Sequence, residues 1–247
     1  MVIDFSSLVE NPDPSDSYRE ASYAKGYADL QDENLKKGYL ETIRKYYPDT
    51  DMKVFTIPFY RYHGRWRDLG KSDFIKYSNF REAFMGCKFG VKTKDITGLV
   101  PVYKKKNLTA EPDPTSVAIY DEVIELCREN DIRVIMILPP RLRMSEQIRG
   151  VFRDYAEAHD FYFIDYNDPA IRYQAGFELA TDFIDENHLN TYGARKMTAH
   201  LARVLADDLG IQSEPYPEAD QRFEEWTEAY YDLEISQKSV QHVPVED

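Results

Sequence analysis

An α/β fold, with a parallel sheet flanked by helices in three layers, is predicted by three observations in this 247-residue sequence. A continuous β-branched and apolar run at 132–138 ends in Pro139-Pro140. Being apolar on both sides, it suits the interior of a parallel sheet covered by helices. A second strand-like run lies at 161–166, and amphipathic stretches precede, separate and follow the two runs. Helix, strand, helix, strand, helix at this spacing is the pattern of a parallel α/β sheet.

The elements follow in chain order. Val2-Ile3-Asp4-Phe5 is strand-like from the outset, with no basic and apolar lead-in of the kind that directs secretion. As it stands the sequence therefore predicts a cytoplasmic protein. After the polar turn Asn11-Pro12-Asp13-Pro14, residues 17–47 have helical composition, with no proline until Pro48. Gly26 and Gly38 predict a break into two helices, and Leu30, Leu35, Leu40, Ile43 and Tyr47 predict one buried face. Residues 52–59 are apolar and β-prone. They open an aromatic-rich insertion at about 52–110 that carries the basic cluster Tyr60-Arg61-Tyr62-His63-Gly64-Arg65-Trp66-Arg67.

Regularity returns at Pro114. Val117, Tyr120, Val123, Ile124 and Cys127 fall on one helical face, and Ile148, Val151, Phe152, Tyr155 and His159 on another. Asn190 or Thr191 caps a last helix striped by Met197, Leu201, Val204, Leu205 and Leu209. The domain proper is thus 1–210, and 211–247 is an acidic C-terminal extension.

Charge and composition exclude several function classes. Against 31 basic side chains stand 44 acidic ones, a net charge of −13. Such a chain would release few counterions from a phosphate backbone, which argues against nucleic acid as a partner, and an anionic membrane surface is disfavoured too. With 43% hydrophobic residues there is ample material for a core. Cys87 and Cys127 are too few for a disulfide framework and read as small core residues. No metal-ligand spacing and no glycine-rich phosphate cradle is present, so neither metal nor cofactor is expected. The longest apolar stretch is far too short to span a membrane.

The stretch richest in chemistry is Asp182-Phe183-Ile184-Asp185-Glu186-Asn187-His188-Leu189-Asn190-Thr191-Tyr192-Gly193-Ala194. Asp185 and His188 stand three apart in a loop after the last strand, where open parallel sheets place their sites. In a tight turn the carboxylate can bind one imidazole nitrogen and leave the other free as a base. The plainer alternative is a solvated helix cap.

Asp-Glu-Asn-His-Leu-Asn followed by Gly-Ala and an amphipathic helix resembles the closing block of the SGNH (GDSL-type) hydrolase superfamily. The runs Val134-Ile135-Met136-Ile137-Leu138-Pro139-Pro140 and Phe163-Ile164-Asp165 resemble its later strands. The block from Pro58 to Trp66, with Phe84-Met85-Gly86, is similar to uncharacterised bacterial members. Those members are distantly related to teichoic-acid D-alanylation and alginate O-acetylation proteins. The resemblance implies a flavodoxin-like three-layer fold and acyl-ester hydrolysis or acyl transfer on a cell-envelope carbohydrate. His188 would be the base and Asp185 its orienting partner.

The family's Gly-Asp-Ser or Gly-Ser-Ser nucleophile block, oxyanion glycine and Gly-x-Asn-Asp block have no counterpart here. Val2 to Phe5 resembles the third strand of the superfamily order 2-1-3-4-5. The expectation is therefore a sheet lacking the first two strands, with an exposed N-terminal edge open to strand pairing. An extracytoplasmic site would follow only if an anchor preceded that strand. The nucleophile is left unknown; Ser6 and Ser7 lie where a degenerate nucleophile block would fall, without the glycine that permits a tight turn. In the insertion, His63, Arg65 and Trp66 form a candidate substrate surface, Arg for anionic or hydroxylated groups and Trp for a sugar ring. The plainer alternative is that Arg65 pairs with one of many nearby acids and Trp66 packs the insertion onto the sheet. Two functions stand: an SGNH-type esterase or acyltransferase, and a catalytically incomplete domain that binds carbohydrate or a protein partner.

Overall fold

The computed structural model describes residues 1–10, 13, 17–57, 90–98, 111–141, 144–212, 221 and 224. In chain order its elements are β1 (Val2–Asp4), a 3-10 turn (Ser6–Val9), α1 (Ser17–Asp29), α2 (Glu33–Tyr46) and α3 (Lys53–Thr56). There follow α4 (Pro114–Glu129), β2 (Ile135–Leu138), α5 (Glu146–Ala158), β3 (Tyr162–Asp165), α6 (Pro169–Ala175) and α7 (Thr191–Arg203). A π-helical turn, Val204–Asp208, ends α7. Two compact units make up the chain, one of Met1–Phe5, Tyr77–Ala110 and Val134–Asp247, the other of Ser6–Lys76 and Glu111–Arg133. Most of the expected insertion and of the acidic extension lies outside the described residues.

The first unit is the α/β body. Its described strands form a parallel sheet in the order β1-β2-β3, with Ile3 opposite Met136 and Met136 opposite Phe163. Side chains alternate between faces along a strand. Ile135, Ile137 and Ile164 therefore share one face with Tyr166, and there they pack against Ile171, Met197, Leu201 and Leu205 of the α6 and α7 region. Met136 and Leu138 point the other way, with Phe5, whose ring lies 5.8 Å from Tyr155 of α5. Helices thus cover both faces, as the all-buried β2 required. Among the described residues β1 pairs with β2 on one side only.

Polar groups clamp the carboxyl ends of β2 and β3. Asn167 accepts from the Arg141 amide at 2.7 Å and donates to the Pro139 carbonyl at 3.0 Å. Arg149 of α5, largely buried, donates to Asp165 at 2.5 Å and Asp168 at 3.1 Å. His200 is buried with its Nδ1 3.2 Å from the Tyr166 hydroxyl. Burial pushes the His200 ring below its ordinary pKa, and the Tyr166 phenol up to about 12.

The second unit holds α1 to α4. Its core is Ala24, Ile43, Val54 and Phe55, with Tyr23, Tyr27, Tyr39, Leu40 and Met52 packed against it. The helical stretch does divide, but at residues 30–32 and not at a glycine. Asp32 accepts from the Asn34 and Leu35 amides and so starts α2 afresh, which a glycine cannot do. Residues 53–56, expected to be β-prone, form the short helix α3, where Val54 and Phe55 complete the aromatic core. Leu35 does not join the buried face; it is 60% exposed in the first turn of α2. No helix among the described residues is long and apolar enough to cross a membrane.

The two leucine-stripe positions that differ most in burial give a direct check. Ile43→Ala should cost about 2–5 kcal/mol in urea unfolding, as buried core sites do. Leu35→Ala should stay within about 0.5 kcal/mol of the parent, as exposed positions do.

Candidate functional site

The site is a loop between α6 and α7, and its foundation is Asp182. Asp182 is 1% exposed, and its carboxylate accepts from the Glu178 amide at 2.7 Å and from Lys196 of α7 at 2.8 Å. The Thr181 hydroxyl adds a bond at 3.2 Å. A buried carboxylate needs such pairing to offset its lost hydration. The Asp182 carbonyl takes the Asn190 amide at 2.9 Å. Asn190, itself buried, accepts from the Tyr192 and Gly193 amides at the start of α7 and donates to the Thr181 carbonyl at 2.6 Å. The expected cap is therefore Asn190.

Between these two anchors the chain doubles back. Phe183 bridges Leu189 in antiparallel fashion, and the Ile184 amide donates to the His188 carbonyl at 2.9 Å. Asp185 lies at the tip. One of its oxygens accepts the Asn187 amide at 2.8 Å and the His188 amide at 3.0 Å, fixing the turn. His188 Nδ1 lies 2.9 Å from each carboxylate oxygen. Partial burial pushes the Asp185 carboxyl upward. The Asn187 amide and the His188 ring and amide together outweigh it and hold the group below its ordinary range.

The structure thus brings Asp185 and His188 together as the sequence predicts. The His188 side chain is 74% exposed and that of Asp185 46%. Among the described residues the imidazole is hydrogen-bonded to Asp185 alone, through Nδ1, which leaves Nε2 open to solvent. Ser6 and Ser7 belong to the other unit, where Ser6 is buried and the Ser7 hydroxyl shares a 2.6 Å hydrogen bond with that of Tyr120. His63, Arg65 and Trp66 lie outside the described residues. No group of three or more His, Cys, Asp or Glu side chains among the described residues is placed to hold a metal.

Sequence reasoning missed two supports. The first is Asp182 with Lys196, whose only sequence signal is an acid standing directly before an apolar pair. The second is the segment 90–98, which runs along the loop. The Lys94 amide donates to the Phe183 carbonyl at 2.8 Å, the Ile96 amide to Leu179, and the Thr191 amide to Gly90. Gly90 comes so close to Ile184 that a Cβ there would sit 2.7 Å from the Ile184 Cδ1. The Lys94 ammonium adds an ion pair to Glu186 at 3.3 Å.

With that geometry in view, comparison with known proteins gives no assignment. The chain matches no protein-family model, no curated protein and no solved structure.

Two outcomes test the loop's construction. A Cβ on Gly193 would lie 2.4 Å from the Asp182 carbonyl oxygen, so Gly193→Ala should destabilise the fold by about 1–3 kcal/mol in chemical denaturation. Because the folded pKa of Asp185 is lowered, its contribution is present above the unfolded value of about 3.9 and is lost as pH falls through the folded one. Hydrogen exchange should show the Asn187 and His188 amides protected at pH 5, with protection falling away below that window.

Proposed function

We propose that this chain is an SGNH-hydrolase-like domain whose Asp185–His188 pair is the acid–base half of an acyl-ester hydrolysis or acyl transfer. A cell-envelope carbohydrate is the substrate class the resemblance implies. The observation that carries the reading is the 2.9 Å contact from His188 Nδ1 to Asp185 in the loop after the last strand. It holds the ring so that Nε2 faces outward.

The chemistry assigned to these residues is that of a base and its orienter. As a hydroxyl oxygen attacks the ester carbon, its proton passes to His188 Nε2. The imidazolium formed is stabilised by Asp185, which keeps its own negative charge. The proton then goes to the departing alkoxide as the tetrahedral intermediate collapses. Water in place of the first hydroxyl repeats the cycle and frees the acid. With both side chains well exposed, water screens the pair, so its value lies in orientation more than in stability.

The second reading, a catalytically incomplete domain binding carbohydrate or protein, is favoured by one observation. The Ser7 hydroxyl is engaged by that of Tyr120 in a 2.6 Å hydrogen bond.

Hydrolysis of p-nitrophenyl acetate separates the two. The enzyme reading expects His188→Ala to fall to the buffer rate and Asp185→Asn to lose about a hundredfold or more in kcat, since the ring then takes the wrong tautomer. Equal rates for parent and both variants would leave the binding reading.

A further inference from the structure

The far end of α7 is held by a histidine. His200 is only 5% exposed, and its Nδ1 lies 3.2 Å from the hydroxyl of Tyr166, just past β3. The two rings meet edge to face, 5.5 Å apart at 77°. Tyr166 belongs to the apolar seam of Ile135, Ile137, Ile164 and Val204, on which Leu205 and Leu209 also pack. Within one turn of His200 the chain enters the π-helical turn. The Val204 amide donates to the His200 carbonyl, and the Leu209 amide reaches back five residues to Val204 at 3.1 Å. Wide turns of this kind are uncommon and gather at functional sites. The Ile211 amide then closes on Leu205 at 2.8 Å, with Gly210 left-handed at a φ of 63°.

This setting suits a neutral ring and not a charged one. Either neutral tautomer can share the Tyr166 contact, because a hydroxyl both donates and accepts. An imidazolium needs two acceptors. Its Nδ1 proton would go to the Tyr166 oxygen, whose own hydrogen then has only the Met197 carbonyl, 3.5 Å away. Nε2 has no hydrogen-bond partner among the described residues. Burying a charge so poorly paired is costly. The charged neighbours do not compensate it. Arg203, farther along α7, repels a charge on the ring, while Asp208 of the π turn attracts it; burial outweighs both. The Asp208 carboxylate also lies 3.4 Å from the Tyr162 hydroxyl of β3, and Arg203 donates to the Gln174 carbonyl of α6. From α6 comes a second cation, Arg172, bonded to the Tyr166 carbonyl at 3.1 Å.

We propose that neutral His200 latches the last turn of α7 and the π-helical turn onto the sheet, and that its protonation in mild acid releases them and uncovers Val204, Leu205 and Leu209. A short terminal segment can open at far lower cost than the whole domain. Because the closed form binds the proton more weakly than the open one, the latch holds fully above the ordinary histidine value of about 6.5. It weakens as pH falls from there toward the lowered folded value. The device stands independently of the acyl-transfer reading.

Native-state hydrogen exchange on the full chain, at pH 7.5 and pH 5 and corrected for intrinsic rates, tests it at the Leu209 and Ile211 amides. Their protection should fall by about five- to thirtyfold, the ceiling being tenfold for each pH unit below about 6.5. The amides of β2 should keep theirs. His200→Phe fills the seam with a ring that takes no proton and should abolish the fall, whereas His188→Ala should retain it. A second readout needs no variant: the His200 Cε1 proton, followed by NMR in the parent, should titrate below about 6.5, in step with the lost protection. Four results would each overturn the proposal: no protection of these amides at pH 7.5 or a fall smaller than about fivefold, an equal fall in β2, a fall that persists in folded His200→Phe, or a ring titrating at or above about 6.5.

Discussion

Asp182 is a carboxylate almost wholly withdrawn from water, and the candidate site depends on the bonds that make its burial tolerable. Lys196 reaches it from α7, the Glu178 amide and Thr181 hydroxyl from its own loop, and its carbonyl ties down Asn190. Asn190 in turn closes the amino end of α7. Starting the helix and shaping the loop are therefore one network. Losing either partner would leave a buried charge or an orphaned donor, which is far costlier than never burying the group.

Everything that bears on chemistry is suspended between those anchors. The antiparallel bridge from Phe183 to Leu189 leaves only five residues for the tip, and Asp185 uses its own carboxylate to fold them. The same carboxylate then holds the His188 ring. One side chain serves as both turn-former and orienter, so the imidazole is placed by the loop's own hydrogen bonds. The loop takes further backing from 90–98, whose backbone bonds it on both flanks. Gly90 and Gly193 are the positions at which that close approach leaves no room for a side chain.

The parts that could be read from the sequence are those with strong local signals. The apolar run ending at Pro139 is the buried β2, and the heptad-like stripe from Met197 to Leu209 lies on the sheet behind Asn190. Asp185 and His188 were legible because three residues span a turn. Less legible were features decided at a distance. Leu35 belongs to a plausible apolar stripe, yet the tyrosines around Ile43 complete that core without it. Residues 53–56 have β-prone composition, but Val54 and Phe55 are needed on one side, and a helical turn puts them there. α6 went unforeseen although Asp168-Pro169 opens it and Gly176, at a φ of 74°, closes it, because its seven residues are too few to show a period. The partnership of Asp182 with Lys196 joins residues fourteen apart across a helix start and has no periodic signature.

The role of the Asp185–His188 pair turns on which nitrogen of His188 carries the proton. Long-range proton–nitrogen correlation NMR on the full chain, at a pH where the ring is neutral, reads this directly. Donation from Nδ1 to Asp185 predicts a bare, pyridine-like Nε2 in the parent protein and a shift toward the Nε2–H tautomer in Asp185→Asn. A parent ring already protonated at Nε2, and unchanged by that substitution, would contradict it.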